Sequence, residues 1–138
     1  MPKHIIIDTD PGIDDSLAIL LALASPELVI DGIISVHGNV STEQTTKNAL
    51  SILELTKASH VPVYKGCDVP LVKESLLSPE THGDSGLGYA QLPEPTTKPK
   101  AGHGSDYLIE QIMSHPGEST LVAIGPLTNV ALAIRKEP

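Results

Sequence analysis

At 138 residues with a formal net charge of −8, the chain is long enough to bury one packed core. It has no block of basic residues, and its only aromatics are Tyr64, Tyr89 and Tyr107, so neither a phosphate-binding face nor a base-stacking platform is expected and nucleic acid is excluded as a partner. The single cysteine, Cys67, allows no internal disulfide framework and fits a reducing compartment. No apolar run reaches membrane-spanning length and no leader pattern is visible, so a cytoplasmic location with no membrane partner is expected.

The elements alternate. Residues 4–8 form a strand of β-branched residues. Asp14 or Asp15 is placed to cap a helix that runs to about residue 24, with Pro26 just beyond it. Residues 28–36 are almost continuously apolar, as in a parallel strand covered on both faces. Ser41 or Thr42 caps a helix to about residue 58, with Ala49, Leu50, Leu53 and Leu55 on its apolar face, and residues 61–64 form a short third strand. Residues 66–101 carry many of the prolines and glycines and read as one long loop, either functional or disordered. A helix over 106–114, a fourth strand over 119–124 and a helix over 127–136 complete the order.

This alternation, with right-handed crossovers, predicts an α/β fold: a Rossmann-like, mostly parallel sheet with flanking helices, in one domain over 1–138. A strand order 3-2-1-4 puts the switch point between the first and fourth strands. The loops after those two strands would then meet. The fourth strand, apolar throughout in Leu121-Val122-Ala123-Ile124, would be an exposed edge, and further strands are expected beside it.

The first of these loops carries four carboxylates within eight residues, Asp8-Thr9-Asp10-Pro11-Gly12-Ile13-Asp14-Asp15. Carboxylates this close repel and call for protons or a cation. An all-oxygen set selects a hard ion, calcium or magnesium. Capping and turn hydrogen bonds account for Asp14 and Asp8 but leave Asp10 and Asp15 unexplained. Asn39, in His37-Gly38-Asn39-Val40 after the second strand, would lie beside this cluster, either as a ligand contact or as a turn former. His82, in the Gly-rich run 81–88, belongs either to a mobile lid or to an ordinary surface loop. His37 reads as structural, His60, His103 and His115 as surface residues. Cys67 has no neighbouring base to make it a nucleophile.

Together the run from Asp8 to Asp15, Gly38-Asn39, His82-Gly83 with Ser85-Gly86-Leu87, and Gly125-Pro126-Leu127-Thr128-Asn129 resemble the inosine–uridine-preferring nucleoside hydrolases over the whole chain. The resemblance implies the N-terminal half of that fold. It implies hydrolysis of the N-glycosidic bond of ribonucleosides to ribose and free base, a place in purine or pyrimidine salvage, and a bound Ca²⁺. On it, Asp10, Asp15 and the backbone carbonyl of Ile124 hold the metal. Asp10 also deprotonates the calcium-bound water. Asp14 and Asn39 meet the ribose hydroxyls, His82 lies near the base, and Asp8 orients the cluster from behind. A carboxylate-rich pocket suits the oxocarbenium-like transition state of glycosidic cleavage.

Members of that family are more than twice as long and are usually dimers or tetramers. Their later half supplies a further Asp ligand, an Asn/Glu group around ribose, and commonly a His that protonates the leaving base. The chain is therefore read as the N-terminal portion of a longer enzyme, and 138 residues alone are expected to be weakly active or inactive. Three other readings compete. One is a non-catalytic fragment that binds calcium or ribose. Another is a haloacid-dehalogenase-type phosphatase with Asp8 as nucleophile, against which Pro11 stands. The third is a receiver-like module, for which Asp68 is a poorly placed acceptor.

Overall fold

The computed structural model describes residues 1–77 and 79–138. Its elements run β1 (Lys3–Thr9), α1 (Ile13–Ala24), β2 (Leu28–Ser35), α2 (Thr42–Leu55), β3 (Val63–Lys65), α3 (Pro79–His82), α4 (Gly104–Ser114), β4 (Ser119–Ala123) and α5 (Thr128–Lys136). The four strands form one sheet, ordered β3-β2-β1-β4, and every pairing is parallel. The fold class, the strand order and the meeting of the loops after β1 and β4 agree with the sequence reading.

The strand side chains alternate between two layers, as a pleated strand requires. Ile5, Ile7 and Ile33 face α1 and α2, where they join Ile19, Ala49, Leu50 and Leu53. Ile6 and Ile34 face the other way, against Tyr107 and Leu108 of α4 and Ala133 of α5. Burial on both faces explains why β1 and β2 read as nearly continuous apolar runs. One irregularity breaks the β1–β2 register, where Ile5 pairs with Ile30 but Ile6 pairs with Gly32. There the Tyr107 hydroxyl donates to the Asp31 carbonyl at 2.9 Å.

Several boundaries differ from expectation. The N-cap of α1 is Gly12 rather than Asp14 or Asp15, and Asp15 instead reaches back to accept the Gly12 N–H at 3.4 Å. Of the two candidates for α2, Ser41 is the cap, its hydroxyl accepting from the Gln44 N–H at 3.3 Å. That helix stops at Leu55 because Lys57 turns left-handed, with φ of 58°. The β2 and β4 strands end one residue early, at Ser35 and Ala123, β3 is shifted to Val63–Lys65, and α5 begins at Thr128. His103, expected to lie idle at the surface, caps α4 by accepting the Ser105 N–H at 3.2 Å.

The long irregular run contains α3, which places His82 in a last helical turn. Ser78, also in that run, lies outside the described residues. The run is tied down by Glu54, whose Oε1 accepts from the N–H and hydroxyl groups of both Thr96 and Thr97 at 2.6–3.0 Å. A second tie is the Lys100 N–H to the Val63 carbonyl at 2.8 Å.

Candidate active site

The β1 strand delivers Asp8 and Thr9 at its carboxyl end, and the Asp10-Pro11-Gly12 turn leads directly into α1. Asp8, Asp10 and Asp15 are buried, at 0, 6 and 4% exposure. Asp14, one residue before Asp15 on the helix, points outward with its side chain 82% exposed. One turn therefore splits the four carboxylates into three buried and one exposed.

Asn39 joins the loop after β2 to this turn. Its backbone N–H donates to Asp10 Oδ2 at 2.8 Å, and its Nδ2 donates to the Asp10 carbonyl at 2.9 Å and to Asp15 Oδ2 at 3.3 Å. Among the described residues the side-chain oxygen of Asn39 accepts no hydrogen bond. Gly38 makes this approach possible, because a Cβ there would lie 2.0 Å from Asp10 Oδ2. From the other side, a Cβ on Gly125 would lie 2.9 Å from Asp10 Oδ1, so the Ile124–Gly125 peptide flanks the same carboxylate. Asp8 accepts the Ile124 N–H at its own carbonyl, 2.9 Å away.

Two residues that the sequence reading passed over orient the acids. Thr9 donates from its hydroxyl to Asp15 Oδ1 at 2.6 Å. Asn129, fully buried on α5, donates from Nδ2 to Asp8 Oδ2 at 2.9 Å and to the Ser35 carbonyl at 3.0 Å, and its Oδ1 accepts the Cys67 N–H at 2.7 Å. Thr9 lay inside the aspartate motif and Asn129 inside the Gly125–Asn129 motif; only their side-chain targets were not readable. His37, buried and expected to be structural, shares a hydrogen bond with the Thr128 hydroxyl at 2.9 Å. His82 lies over the turn, its Nδ1 accepting the Ile13 N–H at 3.2 Å and standing 4.0 Å from Asp14 Oδ1.

Burial dominates the electrostatics. It raises Asp8 to about 7, with the Asp10 charge adding to the rise and the Asn129 bond opposing it. It raises Asp10 to about 6, opposed by the Asn39 N–H and reinforced by Asp15. Asp15 is raised as well, mainly by burial, with Thr9 opposing. None of these three carboxylates has an ion-pair partner among the described residues. Asp8 Oδ1 is buried without a hydrogen-bond partner among them.

Also among the described residues, no three His, Cys, Asp or Glu side chains form a group able to hold a metal ion. Asp10 and Asp15, both bonded to Asn39, are the buried carboxylates that could contribute to a hard-cation site. Their uncompensated buried charge favours it, and the remaining oxygens would come from backbone, water or substrate.

Asp8 is fully buried with Oδ2 held by Asn129, and Asp68 is exposed just beyond the edge strand β3. The model of the family described as inosine-uridine preferring nucleoside hydrolase matches residues 5–138. The chain belongs to the inosine-uridine preferring nucleoside hydrolase family.

It is 47% identical over 139 residues to uridine nucleosidase 1 of Arabidopsis thaliana, covering 98% of this chain and 41% of the relative. It is 42% identical over 140 residues to the inosine-uridine preferring nucleoside hydrolase of Crithidia fasciculata, covering 100% of this chain and 44% of the relative. Among solved structures, the purine-preferring ribonucleoside hydrolase from Gardnerella vaginalis superposes with a TM-score of 0.94 at 38% identity, over 99% of this chain and 44% of that one. The chain thus spans less than half the length of these relatives. No helix among its described residues is long and apolar enough to cross a membrane.

Proposed function

We propose that this nucleoside hydrolase chain carries the aspartate half-site of an enzyme that cleaves the N-glycosidic bond of ribonucleosides, releasing ribose and free base. The observation behind this reading is the trio of buried carboxylates, without ionic partners among the described residues, at the carboxyl end of β1, the place where open α/β sheets bind ligands. Family membership supports it.

In this reading Asp10 and Asp15, with the carbonyl of Ile124, would hold a hard cation; the all-oxygen donor set suits calcium or magnesium, and the family resemblance favours calcium. Calcium, when bound, supplies positive charge that polarises water and binds ribose oxygens. Asp10 accepts the proton of the attacking water. Asn39 holds Asp10 in place on two sides, through its backbone N–H and its side-chain amide. Asp8, held in place by Asn129, orients the cluster from behind. Asp14 and the free oxygen of Asn39 accept from the ribose hydroxyls. His82, with Nδ1 occupied by the Ile13 N–H, keeps Nε2 for the base end of the substrate.

The test is release of reducing sugar from inosine and from uridine by the protein at the length its source produces, with calcium present. Asp10→Asn is expected to lower kcat by about 10²–10⁴-fold, the range for loss of a positioned base. Folded protein that releases no ribose from either nucleoside would overturn the assignment. Calcium binding without turnover would instead support a binding role.

A further inference from the structure

We propose that Asn48, on α2, is a positioning residue whose single amide docks the His82 loop onto the aspartate turn; the inference rests on the hydrolase reading above. Asn48 is 2% exposed. Its Nδ2 donates to the Pro11 carbonyl at 3.0 Å and to the Ser85 carbonyl at 2.8 Å, while its Oδ1 accepts from Gln44 Nε2 at 2.8 Å. Both amide hydrogens are therefore used, one on each of two segments far apart in sequence. Pro11 sits between Asp10 and Asp14. Ser85 follows His82 by three residues.

The loop arrives at this contact already shaped. Gly86 N–H bonds the Gly83 carbonyl at 3.0 Å, Gly88 N–H bonds the His82 carbonyl at 2.8 Å, and Leu87 N–H bonds the Ser85 hydroxyl at 3.2 Å. Gly83, Gly86 and Gly88 all have positive φ, at 73°, 81° and 60°. A loop closed on itself in this way needs few external ties to be placed. Its hydrogen-bonded ties to the turn include the Asn48 amide and the bond from Ile13 N–H to His82, and His82 Nδ1 also stands 4.0 Å from Asp14 Oδ1. The fit is close: a Cβ on Gly12 would lie 2.6 Å from His82 Nδ1, and one on Gly86 would lie 3.1 Å from Asn48 Nδ2.

Among uncharged side chains, only an amide meets this demand. Two carbonyl oxygens need two hydrogens from one buried group. A carboxylate at position 48 would turn acceptor atoms toward both. A hydroxyl has one hydrogen and reaches one carbonyl. Gln44 holds the amide in the required orientation from the helix turn below.

The experiment compares wild type, Asn48→Ala, Asn48→Ser and Gln44→Met in the full chain. Nucleoside hydrolysis is measured with and without His82→Ala, together with amide exchange at residues 83–88. Asn48→Ala is expected to raise KM about tenfold and change kcat less than about threefold, the scale of one or two lost hydrogen bonds. In the His82→Ala background the same change should shift KM less than about twofold, because the coupled partner is gone.

Exchange at 83–88 should rise by about tenfold while that of β1 is unchanged. Asn48→Ser and Gln44→Met should move in the same direction by less, and they decide the matter if Asn48→Ala does not fold. Equal, additive losses in both His82 backgrounds would overturn the proposal. Unchanged exchange at 83–88 would do so too. Wild type that hydrolyses no nucleoside would sink the hydrolase reading alone, since the exchange result still decides the docking role.

Discussion

Asn39 and Asp10 hold each other twice. The Asn39 backbone N–H donates to the Asp10 carboxylate at 2.8 Å, and the Asn39 side-chain amide donates to the Asp10 carbonyl at 2.9 Å. The second contact belongs to the side chain and can be removed by itself. Asn39→Ala should cost about 1–2 kcal/mol in urea unfolding, since it frees the Asp10 carbonyl and weakens the hold on Asp15. Asn39→Asp adds a carboxylate beside two buried ones. It should be less stable than the alanine variant at pH 7, with the gap closing near pH 4. A constant gap across that range would show that charge is not the cause.

Gly38→Ala tests the closeness of the same contact. Its Cβ would fall 2.0 Å from Asp10 Oδ2 and 2.8 Å from Asp10 Cγ, so the carboxylate must move. Nucleoside cleavage should drop by at least about a hundredfold, as a misplacement of about 1 Å can cause. Stability should fall by about 1–3 kcal/mol, the usual cost of overpacking. Steady-state kinetics together with a thermal melt would check both, and unaltered kcat/KM would refute the placement of Asp10.

Asn129→Leu removes three hydrogen bonds from a fully buried hub, leaving Asp8 Oδ2, the Ser35 carbonyl and the Cys67 N–H without it. The expected loss is about 2–4 kcal/mol in denaturant unfolding, the range for buried polar groups left unpaired. The Asn129 bond lowers the Asp8 pKa, so the variant should titrate Asp8 above its value near 7. Carbon NMR of the Asp8 carboxyl reports this directly. A downward shift would contradict the assignment of that bond.

The buried acids also set a pH dependence. Asp8 and Asp10 move from 3.8 to about 7 and about 6 on folding, so the folded state binds their protons more tightly than the unfolded chain does. Their contribution to stability is then fully present below about pH 3.8 and lost as pH rises through 6 and 7. In chelator, the stability advantage of wild type over Asp8→Asn should shrink from pH 4 to pH 7. Calcium should reverse the loss by binding the ionised carboxylates, adding about 2.7 kcal/mol at a hundred times its Kd. The double variant Asp10→Asn, Asp15→Asn should show no such gain in a thermal melt. An undiminished calcium response in that variant would place the ion elsewhere.

The strand order and the meeting of the loops after β1 and β4 could be read from the chain because both follow from local patterns. Ile5, Ile6 and Ile7 alternate across a sheet covered on both sides, and the aspartates come directly after them. The α1 cap was misread because Asp14 and Asp15 both look like caps in sequence. The tight Pro11-Gly12 turn starts the helix earlier and leaves Asp15 in its first turn.

By itself, the sequence determined that an acidic turn ends the first strand, that helices cover both faces of a parallel sheet, and that a second motif after β4 would meet the first. Tertiary structure alone decided which acids are buried: Asp15 turns inward to Thr9 and Asn39, while Asp14, its neighbour, faces solvent. It also decided that Asn129 holds Asp8 across 121 residues and that Asn48 joins Pro11 to Ser85. The physical reason is the difference in range. Periodicity and turn chemistry act over a few residues, whereas the partner of a buried amide is whichever carbonyl or carboxylate the packed layers bring within 3 Å of it.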